Sequence, residues 1–505
     1  MNAPSRTPFR RARRGLASVA LVLLIALPTS GAGASPATTS LPDTPAGKLG
    51  SALIQHINTD TPAQIRQWAA GVMSPSIGAS DKADTVESLA LAARDSGGVS
   101  MVDVASDPRQ PGLLQLIVKD AHGQRAMIFL APDPAHPELF GQLELHAADD
   151  PALYAGWPKG PVSDGELARL VHNTLDQLVR TSDFSGCVTI ANDGKTLFDE
   201  CRGLAERNFS VPVDQQTKFH IGSINKMFTA VAIAQLVEAG KLSWNTTLAD
   251  CMPEYPDQET ARKVTVWQLL HHTAGLGDFL VPAYFEHREA FVNPVDYLDL
   301  IARQPKVAAP GASWNYSNAG YMLLGRIIET TSHENYDDYM QKHVFAPAGM
   351  RATGFDRVDE VTPKLAVGYF REGPFSTAWK ADWLKIGLKG GAAGGGYSTN
   401  ADLLRFAAAL REGKLVSAAT LTKMFDDQVP AGPGGYAAGF GDRLSHGLHI
   451  RGHAGGTEGT DANMQMVWGT KAAVALTSNE GPGQNWFLAE RIADLLAAAN
   501  AAKTH

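Results

Sequence analysis

An almost uninterrupted apolar segment in the middle of the chain constrains the fold most. From Met227 to Ala239, the residues Phe228, Val231 and Leu236 are joined mainly by alanine, valine and isoleucine. A helix that is apolar on every side must be buried, and Gly240 stands where such a helix should end. The sequence therefore predicts a helix that lies inside a large core.

Polar residues stand directly before this helix, in Phe219-His220-Ile221-Gly222-Ser223-Ile224-Asn225-Lys226. If the helix begins near Ser223, then Ser223 and Lys226 lie one turn apart on one face. A neutral lysine can take the proton of a serine nucleophile, and burial at a helix N-terminus lowers a lysine pKa. Ser-x-x-Lys is expected about once by chance in a chain of this length. The motif alone therefore fits a surface lysine equally well.

Composition and charge limit the classes of partner. The chain has 505 residues, of which 44% are hydrophobic, which is enough for a large core and for two or more domains. The net charge is −8, and residues 1–34 hold five arginines and no acidic residue, so the remainder is more acidic still. This balance argues against nucleic acid and anionic membrane surfaces as partners.

Residues 1–34 have the pattern of a secretory signal peptide. Arginines precede the apolar run Leu16–Leu27, and Ala32-Gly33-Ala34 offers a cleavage site near Ala34. The run is too short for a membrane anchor, and no later run is long enough to span a bilayer. The pairs Arg10-Arg11 and Arg13-Arg14 weakly indicate a twin-arginine route. We expect a secreted or periplasmic protein with no membrane span after cleavage.

The chain contains three cysteines, at positions 187, 201 and 251. Cys187 and Cys201 flank a predicted hairpin that turns at Asp193-Gly194, so they could face one another and form a disulfide. The alternative, that each is a small buried hydrophobic residue, is the favoured interpretation. No cysteine has neighbours typical of catalysis or metal binding, and no cofactor or metal is expected.

The remaining patterns divide the chain. A Pro/Ser/Thr linker is predicted for residues 35–47, and a small α+β domain of unknown role for residues 48–157. That domain begins with helices at 49–57 and 61–73, continues with strands at 112–119 and 125–130, and is interpreted as a scaffold or docking module. Residues 160–503 are predicted to form a larger domain, with a first helix over 164–181. Near its end we predict a hairpin over 449–468, a strand over 472–478 and a covering helix over 486–498.

Several polar or glycine-rich segments of the larger domain need an interpretation. The pair His271-His272 has no carboxylate or cysteine at ligand spacing, which favours a structural role. Gly390–Asn400 lacks a preceding strand with nucleotide-binding spacing, so it predicts a tight turn that lets backbones approach closely, not a phosphate loop. The aromatic residues in 278–305 fit either a substrate-facing wall or a core. Tyr316 and Asn318 are predicted in the loop before a helix over 322–331.

Three motifs in order resemble those of the serine β-lactamase-like hydrolases: Ser223-Ile224-Asn225-Lys226, Tyr316-Ser317-Asn318 and His453-Ala454-Gly455. This family includes class C β-lactamases, D-Ala-D-Ala carboxypeptidases and esterases of the same fold. Flanking segments are also similar, among them residues 269–276, 310–321, 347–350 and 395–399. The resemblance covers about residues 165–500.

The resemblance implies an α+β fold of the β-lactamase/transpeptidase type, in which an antiparallel sheet flanked by helices meets a helical subdomain at the site. Ser223 would form the acyl-enzyme, Lys226 would hold or take its proton, and Tyr316 would relay protons if Lys226 lowers its pKa. Asn318 would orient Lys226 or a substrate amide. The third motif, with His453, Gly455 and Gly456, would bind substrate, and the backbone N–H groups of Ser223 and Gly456 would form the oxyanion hole.

The third motif departs from the Lys-Thr-Gly that β-lactamases usually have. A histidine, mostly neutral near pH 7, replaces the cation, and Ala454 replaces the hydroxyl. This weakens recognition of an anionic tail, and it favours hydrolysis of an ester or amide whose substrate is uncharged or undetermined over efficient β-lactam hydrolysis. The alternatives are D-Ala-D-Ala carboxypeptidase, D-aminopeptidase or β-lactamase activity. A non-catalytic, penicillin-binding sensor is disfavoured, because the Ser, Lys and Tyr residues are all present.

Overall fold

The computed structural model describes residues 40–503 except 107–111, 149–150, 181–183, 374, 433 and 482–484. The predicted leader, residues 1–34, and the first part of the predicted linker lie outside the described residues. The described chain forms two compact units. One contains residues 40–146 together with Glu372–Thr377, and the other contains Ala147–Arg371 and Ala378 onward.

The first unit has three helices followed by four strands. They are α1 (Pro45–Thr59), α2 (Pro62–Val72), α3 (Ala79–Asp95), β1 (Val99–Ser106), β2 (Leu114–Asp120), β3 (Arg125–Pro132) and β4 (Phe140–Ala147). The strands form one sheet in the order β1-β2-β3-β4. Thr44 caps α1 through a bond from the Gly47 N–H, and Pro45 stands at the first helical position, so this helix begins inside the predicted linker.

Apolar residues from both layers, such as Leu53, Ile65, Leu116 and Ile128, form the core of the first unit. Phe375 belongs to the same core and is almost fully buried. This unit is therefore built from two stretches that are far apart in sequence.

The second unit contains the remaining elements. Its helices are α4 (Asp164–Arg180), α5 (Asn225–Glu238), α6 (Leu248–Cys251), α7 (Gln258–Ala261), α8 (Val266–Leu270), α9 (Pro282–Glu286), α10 (Leu298–Ala302), α11 (Asn318–Ser332), α12 (Tyr336–Met340), α13 (Ala346–Ala348), α14 (Asn400–Arg411), α15 (Ala418–Asp426) and α16 (Asn485–Ala501). Its strands are β5 (Gly186–Asn192), β6 (Lys195–Arg202), β7 (Leu204–Glu206), β8 (Val211–Pro212), β9 (Phe219–His220), β10 (Tyr369–Arg371), β11 (Trp379–Ala381), β12 (Tyr397–Ser398), β13 (Val429–Ala431), β14 (Gly434–Ala437), β15 (Phe440–Ser445), β16 (Leu448–Thr457), β17 (Thr460–Val467) and β18 (Ala473–Ser478).

An eight-stranded antiparallel sheet forms the middle layer, in the order β13-β14-β15-β16-β17-β18-β5-β6. Alternate residues of β18 face opposite sides, as the pleat requires. Val474 and Leu476 pack with α4 and α16, whereas Ala473 and Ala475 belong to the core that surrounds α5. This arrangement confirms the predicted α+β fold.

The predicted elements agree closely with those observed in the second unit. The observed bounds of α4, β18 and α16 lie within three residues of the predictions, where the chain is described. Phe279, Tyr284 and Tyr297 pack edge to face and are buried, so these aromatic residues of 278–305 form a core. Within the described residues, no helix has both the length and the apolar character needed to cross a bilayer.

The favoured interpretation of two cysteines as separate hydrophobic residues is wrong. Cys187 on β5 and Cys201 on β6 are directly opposite and joined by a disulfide. The hairpin turn brings them into register, because Asp193 and Gly194 both adopt the positive φ angles of a tight two-residue turn. Cys251 is free, and burial raises its pKa to about 11, so it has no reactive thiolate character.

Candidate active site

A tight turn holds Ser223 at the start of the apolar helix. Strand β9 leads into a 3₁₀ turn, Gly222–Ile224, and α5 begins only at Asn225. Ser223 therefore lies just ahead of the helix and is partly exposed, whereas Lys226 is fully buried within its first turn. The spacing still places both side chains on one side, and Lys226 Nζ lies 2.9 Å from Ser223 Oγ.

The amino group of Lys226 contacts three oxygen atoms. Besides Ser223 Oγ, they are Asn318 Oδ1 at 2.8 Å and the carbonyl oxygen of Ala393 at 2.6 Å. Burial lowers the pKa of Lys226 to about 7, against the opposing effect of the Asp278 charge. A substantial fraction of molecules therefore holds a neutral amine beside Ser223 near neutral pH.

Tyr316 approaches Ser223 from the other side. Its O–H donates to Ser223 Oγ at 2.8 Å, and Lys226 Nζ lies 4.7 Å from the centre of its ring. The expected proton relay through Tyr316 was conditional on a pKa lowered by Lys226, but the structure gives the opposite direction. Burial raises the pKa of Tyr316 above its ordinary value, and the nearby Asp278 charge acts in the same direction. The phenol is therefore protonated and can donate.

Asn318 is the first residue of α11, with Ser317 as its N-cap, and not a loop residue as predicted. Its Oδ1 accepts from Lys226, and its Nδ2 donates to Asp278 Oδ2 at 3.0 Å. Sequence reasoning missed Asp278, because a single acidic residue in a loop carries no periodic or motif signal. It also missed the carbonyl of Ala393, because a backbone group leaves no signal in residue identity.

Strand β16 passes directly against the serine turn. A Cβ added to Gly455 would lie 2.8 Å from the backbone nitrogen of Ser223, and one added to Gly222 would lie 2.6 Å from that of Gly456. Gly222 also has a φ of +48°. Only glycine at positions 222 and 455 permits this close approach of β16 to the serine turn. The approach brings the backbone nitrogens of Ser223 and Gly456 to the same edge of the site.

His453 on β16 is a neutral imidazole. Its Nδ1 faces the carbonyl oxygen of Ala454, which can only accept, so Nδ1 carries the proton. Its Nε2 then accepts from the O–H of Tyr436 at 3.1 Å. Burial and the charge of Lys226 lower the pKa of His453 to about 3. The third motif therefore presents neither a cation nor a side-chain hydroxyl.

His272 packs against two tyrosine rings of the site. Its ring lies 4.3 Å from that of Tyr316 and 4.7 Å from that of Tyr436, measured between ring centres. Its Nδ1 accepts from the Ser317 N–H at 3.1 Å, and burial lowers its pKa. These contacts are those of a packing residue. Among the described residues, no group of three or more His, Cys, Asp or Glu side chains could hold a metal ion.

The glycine-rich segment wraps around the serine turn. The Ile221 N–H donates to the Gly396 carbonyl at 2.9 Å, and β12 pairs with β9. A Cβ added to Gly394 would lie 3.2 Å from the carbonyl carbon of Gly222. The segment therefore has the close backbone approach that its composition predicts, and it supplies the Ala393 carbonyl to Lys226.

Comparison with known proteins identifies the family to which the chain belongs. The Beta-lactamase family model matches residues 171–499. The "Putative penicillin-binding protein PbpX" of Bacillus subtilis (strain 168) is 33% identical over 279 residues, which are 54% of this chain and 67% of that protein. "Esterase EstB" of Burkholderia gladioli is 30% identical over 217 residues, 40% of this chain and 55% of that protein. A penicillin binding protein structure from Bacillus halodurans has a TM-score of 0.56 and 27% identity, over 65% of this chain and 98% of that one. The chain thus belongs to the Beta-lactamase family of serine hydrolases and has the β-lactamase/transpeptidase-like fold.

Proposed function

We propose that the protein hydrolyses ester or amide bonds through an acyl-enzyme on Ser223. One observation carries this proposal: Ser223 Oγ lies between the amino group of Lys226, at 2.9 Å, and the O–H of Tyr316, at 2.8 Å. A nucleophile between a base with a pKa of about 7 and a protonated phenol is equipped for acyl transfer near neutral pH.

The partners of Lys226 determine where its lone pair points. The neutral amine has two N–H groups, and both Asn318 Oδ1 and the Ala393 carbonyl can only accept. When the two N–H groups bond to these oxygens, the lone pair is left for the proton of Ser223. Lys226 is therefore oriented as a base.

The reaction follows from these positions. Lys226 takes the Ser223 proton as Oγ attacks the carbonyl carbon, and the backbone N–H groups of Ser223 and Gly456 stabilise the oxyanion. The proton reaches the leaving alcohol or amine through Tyr316, and the acyl group stays on Ser223. Water, deprotonated through the same pair, then attacks the acyl-enzyme, which releases the acid and restores the Ser223 hydroxyl.

The third motif supports a substrate without an anionic tail. His453 is neutral and has both ring nitrogens engaged, and Ala454 offers no hydroxyl, so nothing at this position pairs with a carboxylate. The similarity to an enzyme named as an esterase supports the same class. We therefore favour neutral esters or amides.

The test combines a short p-nitrophenyl ester with a fluorophosphonate probe. The wild type should turn over the ester and be labelled on Ser223, and Ser223→Ala should abolish both, whereas Ser243→Ala, which changes an exposed serine of the same unit, should alter neither. Turnover or labelling that survives in Ser223→Ala would overturn the proposal.

A second candidate activity is cleavage of D-amino-acid peptides of the cell wall, because the relative with 33% identity is named as a penicillin-binding protein. D-Ala-D-Ala peptides and nitrocefin, assayed in parallel, separate peptidase, β-lactamase and esterase activities. A covalent adduct that forms on Ser223 with every substrate but never turns over would instead indicate a sensor.

We further propose that the protein is exported. Support comes from the arginine-rich and apolar pattern of residues 1–34, and from the Cys187–Cys201 disulfide, which suits an oxidising compartment. Fractionation followed by mass measurement of the mature N-terminus tests this. Cleavage near Ala34 in the exported fraction is expected, and an intact leader in the cytoplasm would contradict it.

A further inference from the structure

The carboxylate of Asp278 is bonded on both of its oxygens. Oδ1 accepts from the backbone N–H groups of Phe279 and Leu280, at 2.7 and 3.3 Å. Oδ2 accepts from the backbone N–H of Asn318 at 2.8 Å and from its side-chain Nδ2 at 3.0 Å. Asp278 thus joins its own loop to the first residue of α11, where the helix dipole favours a negative charge.

The loop that carries Asp278 is held in place by its glycines. A Cβ added to Gly277 would lie 2.5 Å from the Pro305 carbonyl oxygen, and one added to Gly275 would lie 2.2 Å from that of Ala308. The Val307 N–H also donates to the Gly275 carbonyl at 3.0 Å. The backbone around Asp278 therefore fits closely against its neighbour, which fixes the position of the carboxylate.

The bond from Nδ2 decides which end of the Asn318 amide faces Lys226. With Nδ2 on Asp278, Oδ1 points to Lys226 and accepts one of its N–H groups. In the flipped orientation, Nδ2 would face Lys226 and offer a donor to the lone pair that Ser223 needs, while Oδ1 would face the carboxylate. A carboxylate repels an amide oxygen and binds an amide N–H, so Asp278 excludes the flipped state.

We propose that Asp278 is a positioning residue of the acyl-transfer site, which fixes the Asn318 amide so that the lone pair of Lys226 faces Ser223. This role rests on the proposed hydrolase chemistry. Asp278 contributes through Asn318 and through its charge, and it does not need to touch the substrate.

The charge of Asp278 has a second effect of known sign. The titratable side chains that surround Lys226 are two phenols, Tyr316 and Tyr321, and two imidazoles, His272 and His453, all kept neutral by burial. Asp278 is the carboxylate that raises the pKa of Lys226 against the effect of burial. Removing its charge lowers that pKa, so the neutral base then persists to lower pH.

Two variants separate orientation from charge. Asp278→Ala removes both, and we expect kcat to fall by about 100-fold with KM little changed, because a misplaced reacting group can cost about that factor. Asp278→Asn keeps an acceptor for Asn318 but loses the charge, so it should retain more of kcat. The acid limb of its kcat/KM profile should move to lower pH by roughly one unit.

The control is Asp299→Asn, which removes an exposed carboxylate of the same unit and should leave both kcat and the pH profile unchanged. Fluorophosphonate labelling rates, measured from about pH 5 to about pH 9, repeat the profile without turnover. Circular dichroism establishes that each variant is folded. If Asp278→Ala does not fold, Asn318→Ala is the second probe. Because Asp278 contributes through Asn318, adding Asp278→Asn to Asn318→Ala should lower kcat by less than about 2-fold further.

Failure of the Asp278 role and failure of the proposed function give different results. A folded Asp278→Ala with wild-type kcat, or an Asp278→Asn whose acid limb does not move down, would overturn the role of Asp278 while the wild type is still labelled on Ser223. A wild type that is neither labelled nor active would overturn the proposed function itself, and this role with it.

Discussion

The two sides of the candidate site differ in charge. On the side formed by the serine turn and α11, Lys226, Tyr316 and Asp278 surround Ser223 and Asn318 with bonds between 2.8 and 3.0 Å. On the side formed by β16, His453 is neutral and Ala454 has no polar side chain. The first side holds the nucleophile, base and proton donor of the proposed reaction, whereas the second side has no cation or side-chain hydroxyl at His453 and Ala454. If the proposed function is correct, separate residues determine the reaction type and the substrate preference.

The largest effect should come from removing the base of the first side. Lys226→Met should lower kcat by about 10⁴-fold or more, because the loss of the base of a catalytic unit costs nearly as much as the loss of its nucleophile. In the wild type, kcat/KM should rise with pH through about 7, as Lys226 loses its proton. A pH series with the p-nitrophenyl ester measures both effects. Lys241→Met, on an exposed residue, is the control. An unchanged acid limb in Lys226→Met would show that another group titrates.

The second effect concerns the proton donor of the same side. Tyr316→Phe keeps the ring that packs on His272 but loses the O–H, so kcat should fall by roughly 10²–10⁴-fold. The melting temperature should change little. Tyr255→Phe is the matched control, because the buried Tyr255 hydroxyl has no hydrogen-bond partner among the described residues. Equal activity of the two variants would remove Tyr316 from the proton path.

A smaller effect should follow from adding a cation and a side-chain hydroxyl to the second side. His453→Lys combined with Ala454→Thr should raise kcat/KM for an ester that ends in a carboxylate by roughly 10-fold relative to its uncharged analogue, since hydrogen bonds to charged groups contribute about 1.5–3 kcal/mol. The ratio of kcat/KM for the two esters is the measurement. An unchanged ratio would mean that the substrate tail does not reach β16.

The smallest effect on activity should come from a change away from both sides. Cys187 and Cys201 are 14 residues apart, so replacing both by serine should lower the free energy of unfolding by about 3 kcal/mol. Activity at moderate temperature should stay within about 2-fold, because β5 lies three strands from β16. Urea unfolding measures the loss. Equal stability of wild type and variant would mean that the disulfide does not form in the isolated protein.

The sequence predicts those parts of this molecule that depend on pattern. The apolar run predicts a helix over 227–239, and α5 covers Asn225–Glu238. The three-residue spacing of Ser223 and Lys226 predicts that their side chains meet, and they lie 2.9 Å apart. The contact of Lys226 with Asn318, 92 residues later, was expected only from the resemblance of the motifs to a known family. Helix α3 was not predicted, because polar residues interrupt its apolar face.

The parts that could not be predicted depend on contacts between distant residues. The effect of Asp278 depends on α11, which begins 40 residues later. The raised pKa of Tyr316 results from burial, and a motif carries no information on burial. The hairpin places Cys187 and Cys201 opposite each other, but two cysteines at that spacing are compatible with either a bond or a packed pair, so only the structure distinguishes them.

The two-part construction of the first unit has a consequence for how this protein can be divided. Phe375 completes a core whose other residues all precede position 147. Deletion of all residues up to position 146 would remove the core around Phe375 and would expose this large aromatic side chain to water. Gene fusions or proteolytic trimming at that point should therefore yield aggregation-prone chains, unless Phe375 is replaced by a polar residue.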